Sequence, residues 1–559
     1  MPPLKTGGPP PGGDALDAAP RARIGDLKHV NRKKEQSMGM ILENGLARSA
    51  LAAVAATVLA PALAGVNGVR LDTSDDRVET PLRVGLKRIG TLKPRNAADI
   101  RSSNWMVGCE TLDRDYCNFD EYKEFIAPLG AKMVRLQGGW WKTERVKGTY
   151  DFAWLDRIVD YLRENGVEIF MELSYGNPNY EGGGGWDLSA GFPVGPEGFE
   201  KGWIGWVDAM TKRYADKVSI WAIWNEPDIV DPATPGGASA KTPAVIGEFN
   251  VRTARAIRRN VPRGKGKIAG MALARNEAGF LGECLAAMGE DVKLLDIVVY
   301  HGYDYAPEET YPNVMEQKKM VAKFLPEAEL MQGENGCPSE MTLKFALPHV
   351  AWSEFSQAKW NMRRMLGDLG HDVRGNVFTI TDFNHTRREI NLKGLVRANI
   401  DRETIGIKRS FYAVQNVFSV FDDTLTRVKG SLAVSTTDRT LQLYEYRKPD
   451  GAPVFVFWRA ADGMHEFTAE TIFDHTKAVD RRAGPRWARP SDSFETSPGV
   501  FTVRGAPLAE PVWVDLLTGR IYEIPARNAL RYRAGTTYVD VPVYDSPCLL
   551  TERRTVMGE

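Results

Sequence analysis

Two glutamates each follow directly on a short apolar segment, which places them at the ends of predicted strands. Glu226 lies in Asn225-Glu226-Pro227, and Glu334 lies in Gly333-Glu334-Asn335-Gly336. A pair of carboxyl groups can cleave a glycosidic bond when one donates a proton to the leaving oxygen and the other, ionised, attacks the anomeric carbon or activates water. Mutual repulsion keeps one member of such a pair protonated near neutral pH. The alternative is that both are solvated loop carboxylates.

The elements that must position these glutamates form a regular alternation of apolar and amphipathic segments. The predicted strands are 104–109, 131–137, 167–173, 218–224, 267–273, 295–300, 328–333 and 376–381. Their nearly continuous apolar character is typical of strands covered on both faces. The predicted helices are 152–165, 199–215, 245–260, 277–288, 314–324, 353–369 and 405–420. Eight such units predict an α/β fold of the (β/α)8 TIM barrel type, in which strand ends at one face carry the active site.

A doubly wound sheet is the competing architecture for this alternation. The strand count and the absence of a glycine-rich phosphate turn after the first strand favour the barrel. Beyond residue 422 the apolar period changes to two, which predicts a C-terminal antiparallel β-sandwich domain. The predicted organisation is a leader and signal peptide over 1–64, a linker with a weak strand signal over 65–100, a catalytic barrel over 101–425 and the sandwich over 426–559.

The ends of strands four and seven resemble the active-site motifs of the glycoside hydrolases of clan A. The motif residues are Trp224-Asn225-Glu226-Pro227 and Glu334, and the similarity covers about residues 100–430. The sandwich behind the barrel resembles that of the β-xylosidase and α-L-iduronidase branch. The resemblance implies that Glu226 is the acid/base and Glu334 the nucleophile, with net retention of configuration. None of the seven histidines lies in a metal-binding motif, so we expect no metal or cofactor.

The same resemblance implies roles for four further residues. Asn225 would hydrogen-bond the sugar 2-hydroxyl, Arg135 would keep the nucleophile ionised, and His301 and Tyr303 would lie beside the nucleophile. Alternatively, Arg135 is a structural ion-pair partner and the two aromatic residues serve packing. Three rival carboxylates near strand ends rank below Glu334 as nucleophile; they are Glu110, Glu144 and Glu172.

Aromatic residues concentrate near the predicted mouth, and sugars present apolar C–H faces to such platforms. They are Trp105, Trp140, Trp141, Tyr175, Tyr180, Trp186, Trp224, Tyr303 and Tyr305. We expect about half of them to line the pocket, with Trp140, Trp141 and Tyr175 among the substrate-binding residues. Three basic residues, Arg114, Lys142 and Arg145, fit either an acidic sugar or a solvated loop.

The charge balance excludes a general nucleic-acid binder. The 559 residues carry 72 Lys+Arg and 72 Asp+Glu, so the formal net charge is zero. This predicts an oligosaccharide or polysaccharide partner that is mostly neutral. The stretches around Cys109, Trp140 and Cys337 match no specificity within the clan, which indicates a divergent family and leaves the sugar open.

Residues 49–64 form an apolar stretch that ends in Ala62-Leu63-Ala64, a pattern typical of a signal peptide. The stretch is too short for a membrane span. We therefore predict cleavage after about Ala64 and a secreted or periplasmic protein, with an Ala-rich helix that is buried or part of a tail as the alternative. In an exported chain Cys109 and Cys117 are candidates for a disulfide, which the sequence leaves undecided.

The leading hypothesis is a secreted retaining glycosidase. The first alternative is a non-catalytic carbohydrate-binding pseudoenzyme that uses the same mouth, which the presence of both carboxylates disfavours. The second is a transglycosylase that uses the same two residues.

Overall fold

The computed structural model describes residues 65–558, apart from 188–190, 230–240, 349, 387–388, 437, 461–463, 467–487 and 491–492. The predicted leader and signal peptide lie outside the described residues. Within the described part of the chain, no helix combines the length and apolarity needed to cross a membrane. Cys109 and Cys117 are both buried free thiols.

Eight parallel strands form the barrel. They are β1 (Trp105–Gly108), β2 (Met133–Gln137), β3 (Glu168–Leu173), β4 (Ile220–Ile223), β5 (Lys267–Leu273), β6 (Ile297–Tyr300), β7 (Glu329–Gln332) and β8 (Gly375–Val377). Neighbours pair in chain order from β1 to β7, and β8 pairs with β1. A single parallel bridge between Met331 and Arg374 closes the ring between β7 and β8. The predicted (β/α)8 barrel is confirmed.

In the described part of the chain, eight α-helices of seven or more residues surround the strands. They are α1 (Lys123–Leu129), α2 (Ala153–Glu164), α3 (Ile204–Tyr214), α4 (Pro243–Asn260), α5 (Ala278–Ala287), α6 (Tyr311–Phe324), α7 (Glu354–Gly370) and α8 (Arg409–Val420). In α2 the residues that recur at helical spacing, Leu155, Ile158, Val159 and Leu162, form the buried face. A π-helix, Gly195–Trp203, runs directly into α3.

One predicted helix needs correction, and one observed helix was not predicted. The start of the last helix at residue 405 is wrong, because Thr404–Ile407 is a strand that pairs with Val396–Ala398. The β-branched residues of this segment favour the extended backbone, and the helix starts only at Arg409. The helix α1 is absent from the predictions because it has only seven residues, too few to show a clear period.

Strand alternation sets a polar layer on top of an apolar barrel interior. Met133 of β2 and Phe170 of β3 belong to the interior cluster, together with side chains from five other strands. Arg135 and Glu172 lie two residues further along the same two strands and hence on the same face. The apolar cluster thus supports the charged residues at the carboxyl end of the barrel, where active sites of this fold lie.

The C-terminal domain is a sandwich of two antiparallel sheets. The larger contains Lys87–Thr91, Thr426–Val428, Leu441–Arg447, Pro453–Arg459, Pro511–Asp515, Arg520–Glu523 and Cys548–Glu552. The smaller contains Leu432–Val434, Ser497–Arg504, Ala529–Tyr532 and Gly535–Val543. The strand Lys87–Thr91 precedes the barrel in the chain and pairs with Arg520–Glu523. A buried ion pair of 2.7 Å between Lys359 of α7 and Asp545 joins the domain to the barrel.

Candidate active site

Glu226 lies in a turn directly after β4, and two residues of this turn have a left-handed backbone conformation. Trp224 has φ +62° and Glu226 has φ +44°, which are costly for residues other than glycine. The Glu226 N–H donates to the carbonyl of Ala272 on β5 at 2.9 Å and so holds the turn in place. Residue Glu226 is only 7% exposed, and its Oε1 lies 2.8 Å from Nδ1 of His301. The strained turn therefore directs this carboxyl group at the residue that follows β6.

Glu334 follows β7, and both of its carboxylate oxygens accept hydrogen bonds. Arg135 donates from Nη1 to Oε2 at 2.6 Å, and the Tyr303 hydroxyl donates to Oε1 at 2.9 Å. His301 Nδ1 lies 3.8 Å from Oε2. An oxygen of Glu226 and an oxygen of Glu334 lie within 4.8 Å of one another. This close spacing suits direct attack by one carboxylate, whereas inverting enzymes hold their carboxyl groups about 6.5–9.5 Å apart.

The surroundings shift the pKa values of the two carboxyl groups in opposite directions. Burial raises the pKa of Glu226, and the charge of Glu334 adds to this against the hydrogen bond from His301. Burial alone would also raise the pKa of Glu334, but the charges of His301 and Arg135 and the hydrogen bonds from Arg135 and Tyr303 bring it below its usual value. Glu226 is thereby suited to hold a proton and Glu334 to stay ionised.

His301 is fully buried between the two carboxyl groups. Burial alone would lower its pKa, but the charges of Glu334 and Glu226 raise the pKa above the usual value. Its Nε2 atom has no hydrogen-bond partner among the described residues. Glu226, His301 and Glu334 are also residue types that bind metals, and their ligand atoms lie within 4.8 Å of one another.

Arg135 is the central cation of the site and is 1% exposed. Besides Glu334, it donates to Glu110 at 3.0 Å, to Glu172, and to Oδ1 of Asn225 at 2.6 Å. One guanidinium therefore faces three carboxylates. Burial raises the pKa of Glu110 to about 7; Arg135 opposes this rise, and the charge of Glu334 adds to it.

The three rival carboxylates take different positions. Glu110 lines the cavity at the barrel mouth. Glu172 is buried and accepts from Gln137 at 3.1 Å and from Ser174 at 2.7 Å, away from the described cavity wall. Glu144 is also buried, and its carboxylate accepts from the Trp140 indole and from the Tyr180 hydroxyl, both at 2.6 Å. Of the three, only Glu110 is placed to meet a ligand.

Asn225 and Tyr175 are linked and both line the cavity. The Asn225 amide accepts from Arg135 and donates from Nδ2 to the Tyr175 hydroxyl at 3.0 Å. An amide nitrogen carries two N–H groups, so one of them is left for a ligand. His301 is hidden behind Glu226, whereas Tyr303 also lines the cavity.

The predicted placement of Trp140 and Trp141 in the substrate pocket is wrong for the cavity that the described residues form. Trp140 is fully buried and packs on Trp203 and Trp206 at ring-centroid distances of 5.9 and 6.2 Å. Trp141 lies under the guanidinium of Arg145 at 4.3 Å. Both belong to a one-turn helix after β2, Trp140–Thr143, and the contact with Trp206 of α3 places Trp140 in the barrel's outer layer.

The cavity at the mouth has a volume of about 420 Å³. About half of the nine aromatic residues near the mouth were expected to line it, but in the described part of the chain only Tyr175 and Tyr303 of the nine do so. The sequence-based prediction missed seven lining residues that follow β7 and β8, namely Phe345, Ala346, Phe378, Phe383, His385, Asn391 and Lys393. Their one visible signal is position, because loops after the last two strands of a barrel reach the same mouth as Glu226 and Glu334.

Comparisons with known proteins agree with this architecture. Residues 118–178 match the family model described as "Beta-galactosidase", glycoside hydrolase family 42. A search of the curated proteins finds no match. A GH30 endoxylanase from Clostridium papyrosolvens superimposes with a TM-score of 0.50 at 12% identity, covering 84% of this chain and 98% of the other.

Two GH39 structures also match. The GH39 enzyme from Xanthomonas axonopodis pv. citri has a TM-score of 0.49 at 15% identity and covers 82% of this chain and 95% of its own. The GH39 β-xylosidase from Caulobacter crescentus has a TM-score of 0.44 at 17% identity and covers 66% and 80%. The predicted barrel with its sandwich is confirmed by the strand topology, and the similarity to the GH30 endoxylanase shows that this fold is shared with a solved structure.

Proposed function

We propose that this protein is a retaining glycoside hydrolase that cleaves O-glycosidic bonds of an oligosaccharide or polysaccharide by double displacement. Glu334 is the nucleophile and Glu226 the acid/base. The observation that carries this assignment is the pair of carboxyl groups within 4.8 Å, one with a raised and one with a lowered pKa. The spacing leaves no room for the attacking water of an inverting mechanism.

In the first step a carboxylate oxygen of Glu334 attacks the anomeric carbon. The bond from that carbon to the glycosidic oxygen breaks, and Glu226 gives its proton to the departing oxygen. In the second step Glu226 takes a proton from water, whose oxygen attacks the anomeric carbon and releases Glu334. Esterified Glu334 has lost the negative charge that raises the pKa of Glu226, so Glu226 becomes ready to act as a base.

Arg135, His301 and Tyr303 prepare the two carboxyl groups for this cycle. Arg135 and Tyr303 hold both oxygens of Glu334 at 2.6 and 2.9 Å and thereby fix the plane of the nucleophile. His301 fixes Glu226 at 2.8 Å. The free Asn225 N–H is placed to donate to a hydroxyl of the bound sugar.

The experiment uses a panel of 4-methylumbelliferyl glycosides, in both anomers. On the best substrate, Glu334→Gln and Glu226→Ala should each lower kcat by at least about 10²–10⁴-fold. Added azide should restore turnover in Glu226→Ala, because a small anion needs no base to attack the glycosyl–enzyme ester. The matched control is Glu283→Gln on α5, an exposed glutamate. Full activity in either active-site variant refutes the assignment.

Product analysis separates the remaining alternatives. Proton NMR during turnover should show first a product with the anomeric configuration of the substrate. Longer products at high substrate concentration would identify a transglycosylase, and binding without any product would identify a pseudoenzyme. We also propose that the chain is exported, on the basis of residues 49–64, and sequencing of the mature N-terminus tests this.

A further inference from the structure

Lys393 places a buried ammonium group on the cavity wall. The residue is 1% exposed, and its Nζ donates to the carbonyl oxygen of Ala346 at 2.7 Å. Among the described residues, no carboxylate lies within ion-pair distance of this Nζ. An ammonium has three N–H groups, and burying a charge without an opposite charge is costly. Lys393 therefore lacks the partner that a purely structural buried lysine has.

Lys408 shows what such a structural lysine looks like in this protein. It is as buried as Lys393, but its Nζ lies 2.6 Å from the carboxylate of Asp382. Lys359 is likewise paired with Asp545. The difference is location, because Lys393 lines the cavity and the two paired lysines do not.

The position of Lys393 is close to the bond that would be cleaved. Its Nζ lies 5.9 Å from the ring centroid of Tyr303, whose hydroxyl donates to the nucleophile Glu334. Burial lowers the pKa of Lys393 to about 8, which leaves the ammonium mostly protonated at pH 7. A sugar with its anomeric carbon at Glu334 would thus have the Lys393 ammonium beside its ring.

Two further basic residues line the same cavity. The Arg114 guanidinium lies 5.0 Å from the Tyr175 ring centroid and donates to Gln137 at 2.5 Å. Asp113 lies 3.3 Å from its Nε and partly offsets its charge. Burial lowers the pKa of His385 to about 4, and the charges of Arg114 and Lys393 contribute, which indicates a positive potential on this wall.

We propose that the cavity binds a sugar whose ring carries a carboxylate, a uronic acid residue, and that Lys393 with Arg114 binds this carboxylate next to the cleaved bond. The proposal rests on the proposed function, and it names the substrate class. A carboxylate supplies the missing negative charge to Lys393, whereas the hydroxyl groups of a neutral sugar supply none. It departs from the neutral saccharide that the net charge predicted, because net charge does not report the sign of one cavity wall.

The test compares substrates that differ only at C6. The probes are the 4-methylumbelliferyl glucuronide and glucoside and the corresponding galacturonide and galactoside, in both anomers. The wild-type protein should favour the uronide of a pair by about 10–100-fold in kcat/KM, the range expected for hydrogen bonds to a charged group. Lys393→Met should remove most of this preference, measured as the uronide-to-neutral ratio of kcat/KM, while Lys393→Arg should retain part of it.

The control is Lys323→Met on α6, where the lysine is exposed. The proposal is overturned if the wild-type protein cleaves the neutral glycoside as well as or better than the uronide. This comparison uses only the wild-type protein, so it does not depend on the folding of a variant. A 6-sulfoglucoside that outperforms the glucuronide assigns the wall to sulfate esters and also overturns it.

If no glycoside is cleaved, the proposed hydrolase activity fails and calorimetric binding tests the inference separately. Free D-glucuronic acid should then bind at least tenfold more tightly than D-glucose, with the difference lost in Lys393→Met. Equal affinities overturn the inference.

Discussion

The Arg135 guanidinium lies 2.6 Å from the Glu334 carboxylate and thereby joins the end of β2 to the end of β7 across the barrel mouth. The same guanidinium nitrogen also donates to Glu110 at 3.0 Å. Together with His301, a residue that lies about 200 positions earlier in the chain therefore lowers the pKa of Glu334, and the same residue also binds a second carboxylate.

Arg135→Lys should lower kcat/KM by about 10²–10³-fold, because a lysine cannot reproduce the bonds of the guanidinium to several acceptors at once. The variant should also shift the acidic limb of the pH profile to higher pH, since Arg135 lowers the pKa of Glu334. Measurement of kcat/KM between pH 3 and pH 9 checks both effects. Arg163→Lys, an exposed position on α2, is the control. An unmoved acidic limb would show that Arg135 acts on structure alone.

His301→Gln should move both limbs of the pH profile to higher pH. His301 lowers the pKa of Glu226, which must be protonated, and that of Glu334, which must be ionised. Loss of the imidazole therefore raises both pKa values, so that the acidic limb, set by Glu334, and the basic limb, set by Glu226, both move to higher pH. Tyr303→Phe is the comparison: among the described residues the Tyr303 hydroxyl bonds to Glu334 alone, so its loss should move only the acidic limb. Limbs that move in opposite directions in His301→Gln would contradict this account.

The stability of Glu110→Gln, measured relative to the wild type, should increase as the pH rises. The folded state raises the pKa of Glu110 from 4.5 to about 7, so it holds a proton that the unfolded chain has already released. The contribution of Glu110 to stability is thus greatest below pH 4.5 and is lost as the pH rises to about 7. Between these pH values, the difference in the free energy of unfolding between variant and wild type should change by roughly 1–3 kcal/mol in favour of the variant. Urea unfolding at pH 4.5 and pH 7.5 measures the difference, and an equal difference at both pH values would contradict it.

Chelators should leave the activity unchanged, whereas added Zn²⁺ should inhibit. Glu226, His301 and Glu334 can offer three ligand atoms within 4.8 Å, but Nδ1 of His301 is engaged by Glu226, and Arg135 already balances charge at Glu334. A zinc ion would displace these contacts and occupy the catalytic carboxylates. Steady-state rates with EDTA, and with zinc followed by EDTA, check this. Activity lost in EDTA and regained with a metal would reverse the interpretation.

The positions of the two glutamates were accessible from sequence because they depend on strand periodicity. Each directly follows an apolar strand, and parallel strands bring their carboxyl ends to one face. The placement of Trp140 was not accessible, because a one-turn helix after β2 has no period that the sequence reveals. Lys393 was missed for a similar reason, since it lies after a short hairpin strand, Glu389–Asn391, far from any catalytic motif. Side chains on long loops are positioned by tertiary packing, and local pattern does not encode this.

The pairing of Lys87–Thr91 with Arg520–Glu523 makes the catalytic barrel an insertion between two pieces of one sheet. Asn416 of α8 reinforces the junction, because its amide donates to the carbonyl of Leu516 at 2.9 Å and accepts from Arg77 at 2.7 Å. Removal of the residues after 425 would therefore expose the edge of the N-terminal strand and leave the buried Lys359 of α7 without Asp545. In protein engineering, the barrel and the sandwich should therefore be exchanged or transferred together.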